Sequence, residues 1–384
     1  MITPTYSSKL PHVGTTIFTV MSQLAAEHQA INLSQGFPDY EPDSRLLEYA
    51  QQAMADGFNQ YAYMPGIPAL REQISYWFGD KYGRTPEVGS EITITTGATE
   101  ALYCAIAATI QPGDEVVVFT PAYDSYLPAI QLNGGVPICI PLTFPDYRID
   151  WQQVRDRISS RTRLIMVNFP HNPTGAILTD EDLAELKALA LETGIRIISD
   201  EVYEQLVFDG IPHRSLAGIP ELQDQVMAIG SFGKSLHATG WKVGYAIAPA
   251  DWTTELRKVH QFVTFSTSHP FQVAIAKFLE LHRSEVDGLG DFFQAKRDHF
   301  LREMEGSRFE PLTCQGTYFQ LMSYRQISEL PEADFSQWLT KEHGVACIPV
   351  SVFYDQPEEH QVVRFCFAKQ HETLSAAAQR LKQI

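Results

Sequence analysis

The sequence has few features of a protein that works outside the cell or within a membrane. Its five cysteines are odd in number, widely spaced and without a C-x-x-C pair, which favours free thiols in a reducing compartment over a disulfide framework. No apolar run approaches the length of about 20 residues that a membrane-spanning helix needs. The opening residues, MITPTYSSKLPHVG, contain no apolar stretch typical of a secretory signal. We therefore expect a cytoplasmic protein.

The chain also lacks metal-ligand spacing and an excess of basic residues. Its twelve histidines are scattered and none belongs to an H-E-x-x-H pattern, so we expect no metal site. The formal net charge is −17, from 46 acidic and 29 basic residues. That balance argues against a general surface for nucleic acid or anionic membranes, although it is compatible with a local basic pocket.

Length and hydrophobic pattern predict an α/β protein with a buried sheet. A chain of 384 residues has room for a large domain and a smaller one. Near-continuous β-branched runs alternate with helical patterns, which is typical of a parallel or mixed sheet covered on both faces. These patterns predict strands at 91–96, 115–120, 136–142, 163–169, 195–199, 225–231 and 244–249, and helices at 98–110 and 180–192.

The pattern changes near residue 285. A helical stretch over 285–305 leads into TYFQLM, a helix near 333–343, two further strand-like segments and a terminal helix, which together indicate a smaller α/β domain. We therefore expect three parts: an N-terminal segment, 1–44, that packs with the small domain, a large domain, 45–284, and the small domain, 285–384.

Lys234 stands in the segment GSFGKSLHATGWKVGY, whose Gly-Lys-Ser is similar to the end of a nucleotide-binding P-loop. The P-loop pattern G-x-x-x-x-G-K-[ST] needs a glycine where this chain has Ala228. The loop between the preceding strand and Lys234 is also too short to enclose a triphosphate. A different task for the amine is therefore expected.

Three other polar segments follow predicted strands. Gly97 opens a helix whose free N–H groups suit an anion, and NFPHNPTG places Asn172 in a rigid turn. Asp200 lies at a buried strand end, where a carboxylate needs a cationic partner unless it only caps a helix. Ligands of open α/β sheets bind beyond the carboxyl ends of strands, so one pocket is expected. A lysine that forms a Schiff base with pyridoxal 5′-phosphate, a carbonyl cofactor with a phosphate and a pyridine nitrogen, uses all four features.

Nine segments follow one another in order between residues 32 and 369: NLSQGFPDY (32–40), NQYAY (59–63), TGATEAL (96–102), PAYDSY (121–126), NFPHNPTG (168–175), SDEVYEQLVFDG (199–210), SFGKSLHATGWKVG (231–244), IPVSVFY (348–354) and VRFCFAK (363–369). Together they resemble the fold-type-I pyridoxal-phosphate aminotransferases, most closely the methionine, kynurenine and glutamine aminotransferase branch. The resemblance implies a mostly parallel seven-stranded sheet between helices and a smaller α/β domain. It also implies ping-pong transfer of an amino group from an L-amino acid to a 2-oxo acid, in a homodimer with shared active sites.

The resemblance further implies a role for each matching residue. The catalytic residues would be Lys234, which binds the cofactor and moves the substrate Cα proton, Asp200, which pairs with the pyridine nitrogen, and Tyr203, which contacts the ring's phenolic oxygen. The cofactor-binding set adds, to these three, Asn172 at the same oxygen, Tyr123 on the ring face, Ala98, Thr99, Ser231 and Lys242 at the phosphate, and Tyr61 from the second subunit. The substrate-binding set is Arg364, for the α-carboxylate, with Gly36, Asn172, Phe18 and Phe265.

Two departures from the family pattern indicate the branch of the family, and two aromatic residues indicate the preferred amino donor. Gly233 replaces the second serine of a common Ser-x-Ser-Lys, and Lys242 stands where many relatives have arginine; both fit the kynurenine aminotransferase branch. Phe18, and Phe265 from the partner subunit, would favour large uncharged donors such as methionine, aromatic amino acids, histidine or glutamine. Both phenylalanines are alternatively core residues.

Two other functions share parts of this pattern. A carbon–sulfur β-lyase acting on cysteine conjugates or cystathionine-type substrates uses the same cofactor and the same Cα carbanion, so the residues alone leave it open. A transcription regulator built on an aminotransferase-like domain needs a basic DNA-binding segment, and this acidic chain offers none. We therefore expect small-molecule substrates, and neither nucleic acid nor membrane as a partner.

Overall fold

The computed structural model describes residues 7–356 and 358–384. The helices in this part of the chain are α1 (Ile17–Glu27), α2 (Ser44–Ala55), α3 (Pro68–Tyr82), α4 (Gly97–Thr109), α5 (Tyr126–Leu132), α6 (Trp151–Arg157), α7 (Asp180–Thr193), α8 (Phe232–Ser235), α9 (Ala250–Val263), α10 (His269–Asp287), α11 (Leu289–Glu303), α12 (Glu332–His343) and α13 (His371–Leu381). The strands are β1 (Ile31–Asn32), β2 (Ile92–Thr95), β3 (Glu115–Thr120), β4 (Val136–Pro141), β5 (Thr162–Asn168), β6 (Arg196–Asp200), β7 (Val226–Ser231), β8 (Gly244–Ile247), β9 (Glu310–Pro311), β10 (Phe319–Ser323), β11 (Val345–Ala346), β12 (Ile348–Pro349) and β13 (Val362–Cys366).

The central element is a sheet of seven strands in the order β2-β8-β7-β6-β5-β3-β4. Strand β8 runs antiparallel to both neighbours, β2 and β7, and the remaining pairs are parallel. The expected mostly parallel seven-stranded sheet is confirmed, with strand ends within two residues of the predicted ones. In a sheet with this order, the parallel strands place their carboxyl ends along one edge, where ligands bind.

Both faces of the sheet are buried, and this explains its near-continuous apolar strands. Val117 and Ile165 belong to one apolar cluster with residues of α3, α7 and α10, whereas their chain neighbours Val116 and Leu164 belong to a second cluster with residues of α4, α5 and α9. Alternate side chains of one strand point to opposite faces, so a strand covered on both sides must be apolar throughout. Among the described residues, no helix is both long and apolar enough to cross a membrane.

The C-terminal part contains a four-stranded antiparallel sheet, β12-β13-β10-β9. The N-terminal segment joins this part because β1 pairs in parallel with β11, with Ile31 opposite Val345. The stretch over 285–305 that was predicted to be helical consists of the end of α10, which stops at Asp287, and α11, which begins at Leu289, so the helix is interrupted at Gly288. The break has a packing reason, since α10 lies against α2 and α3 while α11 lies against α13.

We propose that the chain divides into the N-terminal segment 1–44, a large domain over 45–284 and a small domain over 285–384. The two separate sheets support this division. The second boundary lies in the last turn of α10, next to the break before α11. Such a division places any site at the carboxyl edge of the large sheet within reach of side chains from the small one.

Candidate active site

A cavity of about 330 Å³ lies at the carboxyl ends of β5, β6 and β7. Asn168, Asp200 and Ser231, which end these three strands, all line it. Twelve residues predicted from the sequence are brought together in this lining: Phe18, Gly36, Ala98, Thr99, Tyr123, Asn172, Asp200, Tyr203, Ser231, Lys234, Lys242 and Arg364. The volume is within the range of small-molecule sites.

Lys234 lies on the short helix α8 directly after β7, and its amine faces the cavity. Its Nζ donates to the hydroxyl of Tyr318 at 2.9 Å and to the carbonyl of Gly36 at 3.3 Å. The Tyr318 hydroxyl in turn donates to the same carbonyl at 2.6 Å, so the amine has a fixed direction. Burial lowers the pKa of Lys234 to about 8, because the charged ammonium loses its hydration. A larger share of the amine is therefore neutral, and nucleophilic, than in an exposed lysine.

Asp200 ends β6 and is buried beneath the cavity. Its Oδ2 accepts a 2.5 Å hydrogen bond from the hydroxyl of Tyr126, and its Oδ1 accepts a longer one, 3.3 Å, from the backbone N–H of Val202. Burial raises the pKa of Asp200 from 3.8 to about 6. Since the folded-state pKa lies above the unfolded one, this carboxyl reduces stability as pH rises through that interval, by about 1 to 3 kcal/mol when fully ionised. A cationic ligand group at the cavity would recover that free energy.

The amino end of α4 forms a second polar wall. Its N-cap, Thr96, makes no side-chain cap hydrogen bond, so the N–H groups of the first turn are available to a ligand. Gly97 has a left-handed φ of 75°, and a Cβ there would lie 3.4 Å from the Nζ of Lys242. Glycine therefore leaves room for the ammonium beside the helix end. Both groups, the positive helix end and the lysine, favour an anion such as a phosphate.

The Gly233 departure has a packing explanation. A Cβ at Gly233 would lie 3.1 Å from the Cα of Thr239, which is tighter than ordinary van der Waals contact with backbone. A serine there would need the 238–240 segment to move. The chain therefore gives up one hydroxyl in the lining, and Ser231 is the serine of this motif that faces the cavity.

Arg364 comes from β13 of the small sheet and is 1% exposed. Its Nη1 donates to Oδ1 of Asn172 at 2.7 Å, and its Nη2 donates to the carbonyl of Ser34 at 3.2 Å. Its Nε is buried and has no hydrogen-bond partner among residues 7–356 and 358–384. Burial lowers the pKa of this guanidinium to about 10. A carboxylate ligand would supply both the missing acceptor and the missing charge partner.

Tyr61 and Phe265 do not line the cavity. Tyr61 is 82% exposed and Phe265 43% exposed, and their rings meet edge to face with centroids 5.1 Å apart. The aromatic pair thus lies on the surface of the chain, away from the cavity. Its predicted contribution to a neighbouring subunit's site stays a prediction.

Seven lining residues had no role predicted from the sequence: Gln35, Leu102, Tyr126, Asn168, Val202, Thr239 and Phe319. Tyr318, which holds the amine of Lys234, was also missed. Tyr126 lies inside the segment PAYDSY, which the sequence did mark, but nothing in the sequence predicted its hydrogen bond to Asp200. Tyr318 lies 84 residues from Lys234, and no local pattern predicts that contact.

The model of the family "Aminotransferase class I and II" matches residues 28–381. The chain belongs to this family. It is a fold-type-I, pyridoxal-phosphate-dependent amino-acid aminotransferase. The prediction from the nine segments is confirmed at the level of family, fold, cofactor and reaction.

Several relatives match over almost their full length. The chain is 49% identical over 377 residues to a methionine aminotransferase of Escherichia coli, covering 98% of each sequence. It is 36% identical to a probable N-succinyldiaminopimelate aminotransferase of Mycobacterium tuberculosis, covering 98% of each, and 32% identical to human kynurenine–oxoglutarate transaminase 1, covering 94% of each. A crystal structure of an Escherichia coli methionine aminotransferase is similar with a TM-score of 0.97, 48% identity and complete coverage of both chains. These relatives do not support the carbon–sulfur lyase alternative.

The residues of the cavity fit the cofactor that the family uses. Within the described part of the chain, the cavity offers an amine with a lowered pKa, a buried carboxylate with no cation bonded to it, and an uncapped helix end beside a lysine. These match an aldehyde, a protonatable ring nitrogen and a phosphate, respectively. The cofactor carries these three groups on one ring. Each of the three local environments thus has a separate chemical counterpart.

We expect Asp200→Asn to lower kcat and kcat/KM together by about 100-fold or more, because a neutral amide cannot stabilise positive charge on the ring nitrogen. Asp182→Asn is the matched control, since Asp182 is buried, caps α7 and lies outside the cavity. Steady-state kinetics of both variants decide the matter. A near-normal kcat for Asp200→Asn would mean that Asp200 only caps the turn after β6.

Proposed function

We propose that this aminotransferase takes the amino group of methionine and of other large, uncharged L-amino acids and transfers it to a 2-oxo acid. The single observation that carries the proposal is the setting of Arg364. Its guanidinium carbon lies 3.8, 5.3 and 5.7 Å from the ring centroids of Phe319, Phe18 and Phe353. A donor held by its α-carboxylate at Arg364 therefore extends its side chain along phenyl rings, which favour thioether and aromatic groups.

The charges of the lining argue against dicarboxylic donors. Its cationic residues, within the described part of the chain, are Lys234, Lys242 and Arg364. Each of them has a proposed task at the cofactor or at the α-carboxylate. A distal carboxylate would stay buried and unpaired, at a cost of several kcal/mol. The names of the relatives include both a methionine aminotransferase and a probable N-succinyldiaminopimelate aminotransferase, so membership of the family does not fix the donor, whereas the charges of this pocket restrict it.

Lys234 is proposed as the residue that binds the cofactor and then transfers the proton. When bound, the cofactor supplies an aldehyde for the amine and an electron-withdrawing ring that stabilises negative charge at the substrate Cα. The pKa of Lys234, about 8, makes its Nζ a suitable base for that Cα proton near neutral pH. Tyr318 and the Gly36 carbonyl hold Nζ in the cavity, so the same atom can take the proton from one carbon and return it to another.

The other lining residues are proposed to hold the cofactor and the substrate and to orient them. Asp200 would keep the ring nitrogen protonated, with Tyr203 and Asn172 at the phenolic oxygen and Tyr123 on the ring face. Ala98, Thr99, Ser231 and Lys242 would hold the phosphate, as the helix end and the ammonium favour. Arg364 would bind the α-carboxylate as a bidentate pair, fixed by its bond to Asn172 and helped by the backbone of Gly36.

We propose a homodimer in which each site borrows Tyr61 and Phe265 from the partner. The two rings pack on each other at the surface, away from the cavity of their own subunit. Near them in the sequence, Phe262 is 84% exposed and Tyr63 65% exposed. Exposed aromatic residues in such number are typical of a protein interface. A cytoplasmic location is supported by the five cysteines, all of which are free thiols in the structure.

Borohydride reduction of the cofactor-loaded protein should attach the cofactor to Lys234 and to no other lysine. Lys234→Ala should lose nearly all turnover, because both the nucleophile and the base are removed. Peptide mapping by mass spectrometry locates the label. Attachment to Lys242 would contradict the assignment, and Lys242→Ala, which should mainly weaken cofactor affinity, is the comparison variant.

With one shared 2-oxo acid acceptor, kcat/KM should rank methionine and phenylalanine far above aspartate, by about 100-fold or more, given the cost of an unpaired buried carboxylate. Phe18→Ala should lower kcat/KM for methionine and phenylalanine while leaving alanine nearly unchanged, because alanine does not reach the ring. If aspartate equals or exceeds the other donors, the pocket assignment fails while the cofactor assignment stands.

Mixing two inactive variants, Tyr61→Ala and Lys234→Ala, should restore activity, since a hybrid dimer has one site with both residues intact. Random exchange gives about a quarter of the wild-type sites. The control mixture, Lys234→Ala with Asp200→Asn, should stay inactive because one subunit supplies both residues to its site, so each site of the hybrid dimer keeps one defect. A lack of recovery despite hybrid formation, or a fully active monomer in sedimentation, would refute the shared site.

A further inference from the structure

Tyr126 donates the shortest hydrogen bond that Asp200 receives. The tyrosine is the first residue of α5, is 3% exposed, and lies 2.5 Å from the carboxylate through its hydroxyl oxygen. A distance of 2.5–2.7 Å is typical of a hydroxyl donating to an ionised carboxylate. The two residues lie 74 positions apart in the chain, so the contact is tertiary and joins the segment after β3 to the end of β6.

The two oxygens of the Asp200 carboxylate accept hydrogen bonds of different length. Oδ2 receives the Tyr126 hydroxyl at 2.5 Å, whereas Oδ1 receives only the N–H of Val202 at 3.3 Å. The backbone carbonyl of Asp200 also accepts from the side chain of Asn168 at 3.0 Å, which fixes the strand end. With one oxygen held and the backbone fixed, the plane of the carboxylate is determined. The less occupied oxygen keeps acceptor capacity for a ligand.

The surroundings otherwise act against an ionised Asp200. Burial and the nearby carboxylate of Glu201 both raise its pKa, to about 6, while the Tyr126 hydroxyl, the Val202 N–H and the ammonium of Lys234 act in the opposite direction. Tyr123 and Tyr203 face the Tyr126 hydroxyl and carry no charge at neutral pH. Among the side chains, the Tyr126 hydroxyl is thus the hydrogen-bond donor that stabilises the anion directly.

We propose that Tyr126 is a positioning residue for the reaction: its hydroxyl keeps Asp200 ionised and aims one carboxylate oxygen at the ring nitrogen of the cofactor. The proposal rests on the proposed role of Asp200. Tyr126 itself makes no bond to the reacting atoms in this account. It acts through the carboxylate, whose charge and orientation set how strongly the ring nitrogen holds its proton.

Removal of the Tyr126 hydroxyl should shift the pH dependence of cofactor binding in one direction, toward higher pH, which a change in packing alone would not do. In Tyr126→Phe the carboxylate loses its donor, so the pKa of Asp200 should rise further. A protonated Asp200 cannot pair with a protonated ring nitrogen. Cofactor affinity should therefore begin to fall at a higher pH in the variant than in the wild type as the solution is acidified.

The experiment measures binding of pyridoxal 5′-phosphate to apoprotein between pH 5 and pH 9, by fluorescence titration, for wild type and Tyr126→Phe. We expect the variant to bind the cofactor about tenfold more weakly at pH 7, which is the scale of one hydrogen bond to a charged group. The loss of affinity on acidification, the acid limb of the binding profile, should begin at a higher pH than in the wild type. The matched control is Tyr82→Phe. Tyr82 also donates to a buried carboxylate, Glu204 at 2.8 Å, outside the cavity, and its removal should leave the binding profile unchanged.

A cofactor analogue with carbon in place of the ring nitrogen separates positioning from packing. Wild type and Tyr126→Phe should bind this analogue equally, since the contact to Asp200 is gone in both. Equal weakening for cofactor and analogue, or an unshifted acid limb, would overturn the proposal. Matching circular dichroism and thermal midpoints of Tyr126→Phe and Tyr82→Phe check that both variants are folded.

Titration of Asp200→Asn in the same way separates the proposed role of Asp200 from the proposed role of Tyr126. If this variant binds the cofactor with wild-type affinity and pH profile, the role of Asp200 fails, and the role of Tyr126 fails with it. If Asp200→Asn is impaired and Tyr126→Phe is not, only the inference on Tyr126 is wrong. In the double variant Tyr126→Phe with Asp200→Asn, the second change should add little to the first.

Discussion

The site depends on one constraint, the loss of hydration of three ionisable groups: Asp200, Lys234 and Arg364. Asp200 and Arg364 are buried and Lys234 is half-buried at the carboxyl edge of the large sheet, and loss of hydration moves each pKa toward the value that favours the neutral form. The fold therefore holds these groups at a cost in stability that a ligand of opposite charge offsets. The neighbouring hydrogen bonds, from Tyr126 to Asp200 and from Arg364 to Asn172, keep the groups in place until that ligand arrives.

The antiparallel strand β8 contributes to the site indirectly. It lies between β2 and β7, and Gly244 at its start lets the amino end of α4 approach closely, since a Cβ there would lie 2.8 Å from the N of Ala98. Lys242, just before β8, thereby reaches the same helix end. The one strand that departs from the parallel direction thus places a cation beside the anion-binding helix, which a further parallel strand with its crossover helix would not do.

The site also depends on the small sheet. Arg364 comes from β13 and is joined to Asn172, in the loop after β5 of the large sheet, and to Ser34, just after β1. Three distant parts of the chain therefore meet at one guanidinium. Any displacement of the small sheet relative to the large one would separate Arg364 from Asn172, so the proposed binding of a substrate carboxylate at Arg364 depends on the relative placement of the two sheets.

The near-continuous β-branched runs were enough to predict the strands of a parallel or mixed sheet covered on both faces, but not the order of the strands or the antiparallel direction of β8. The sequence by itself also determined the residues that follow strand ends, such as Asp200 and Lys234, because local order and the edge rule for α/β sheets suffice for them. Only the tertiary structure decided the contacts between Tyr126 and Asp200, and between Tyr318 and Lys234, which lie 74 and 84 positions apart. Only it revealed the break at Gly288, where α10 and α11 pack against different partners. Hydrophobic periodicity reports which face of an element is buried, but not which distant side chain meets it there.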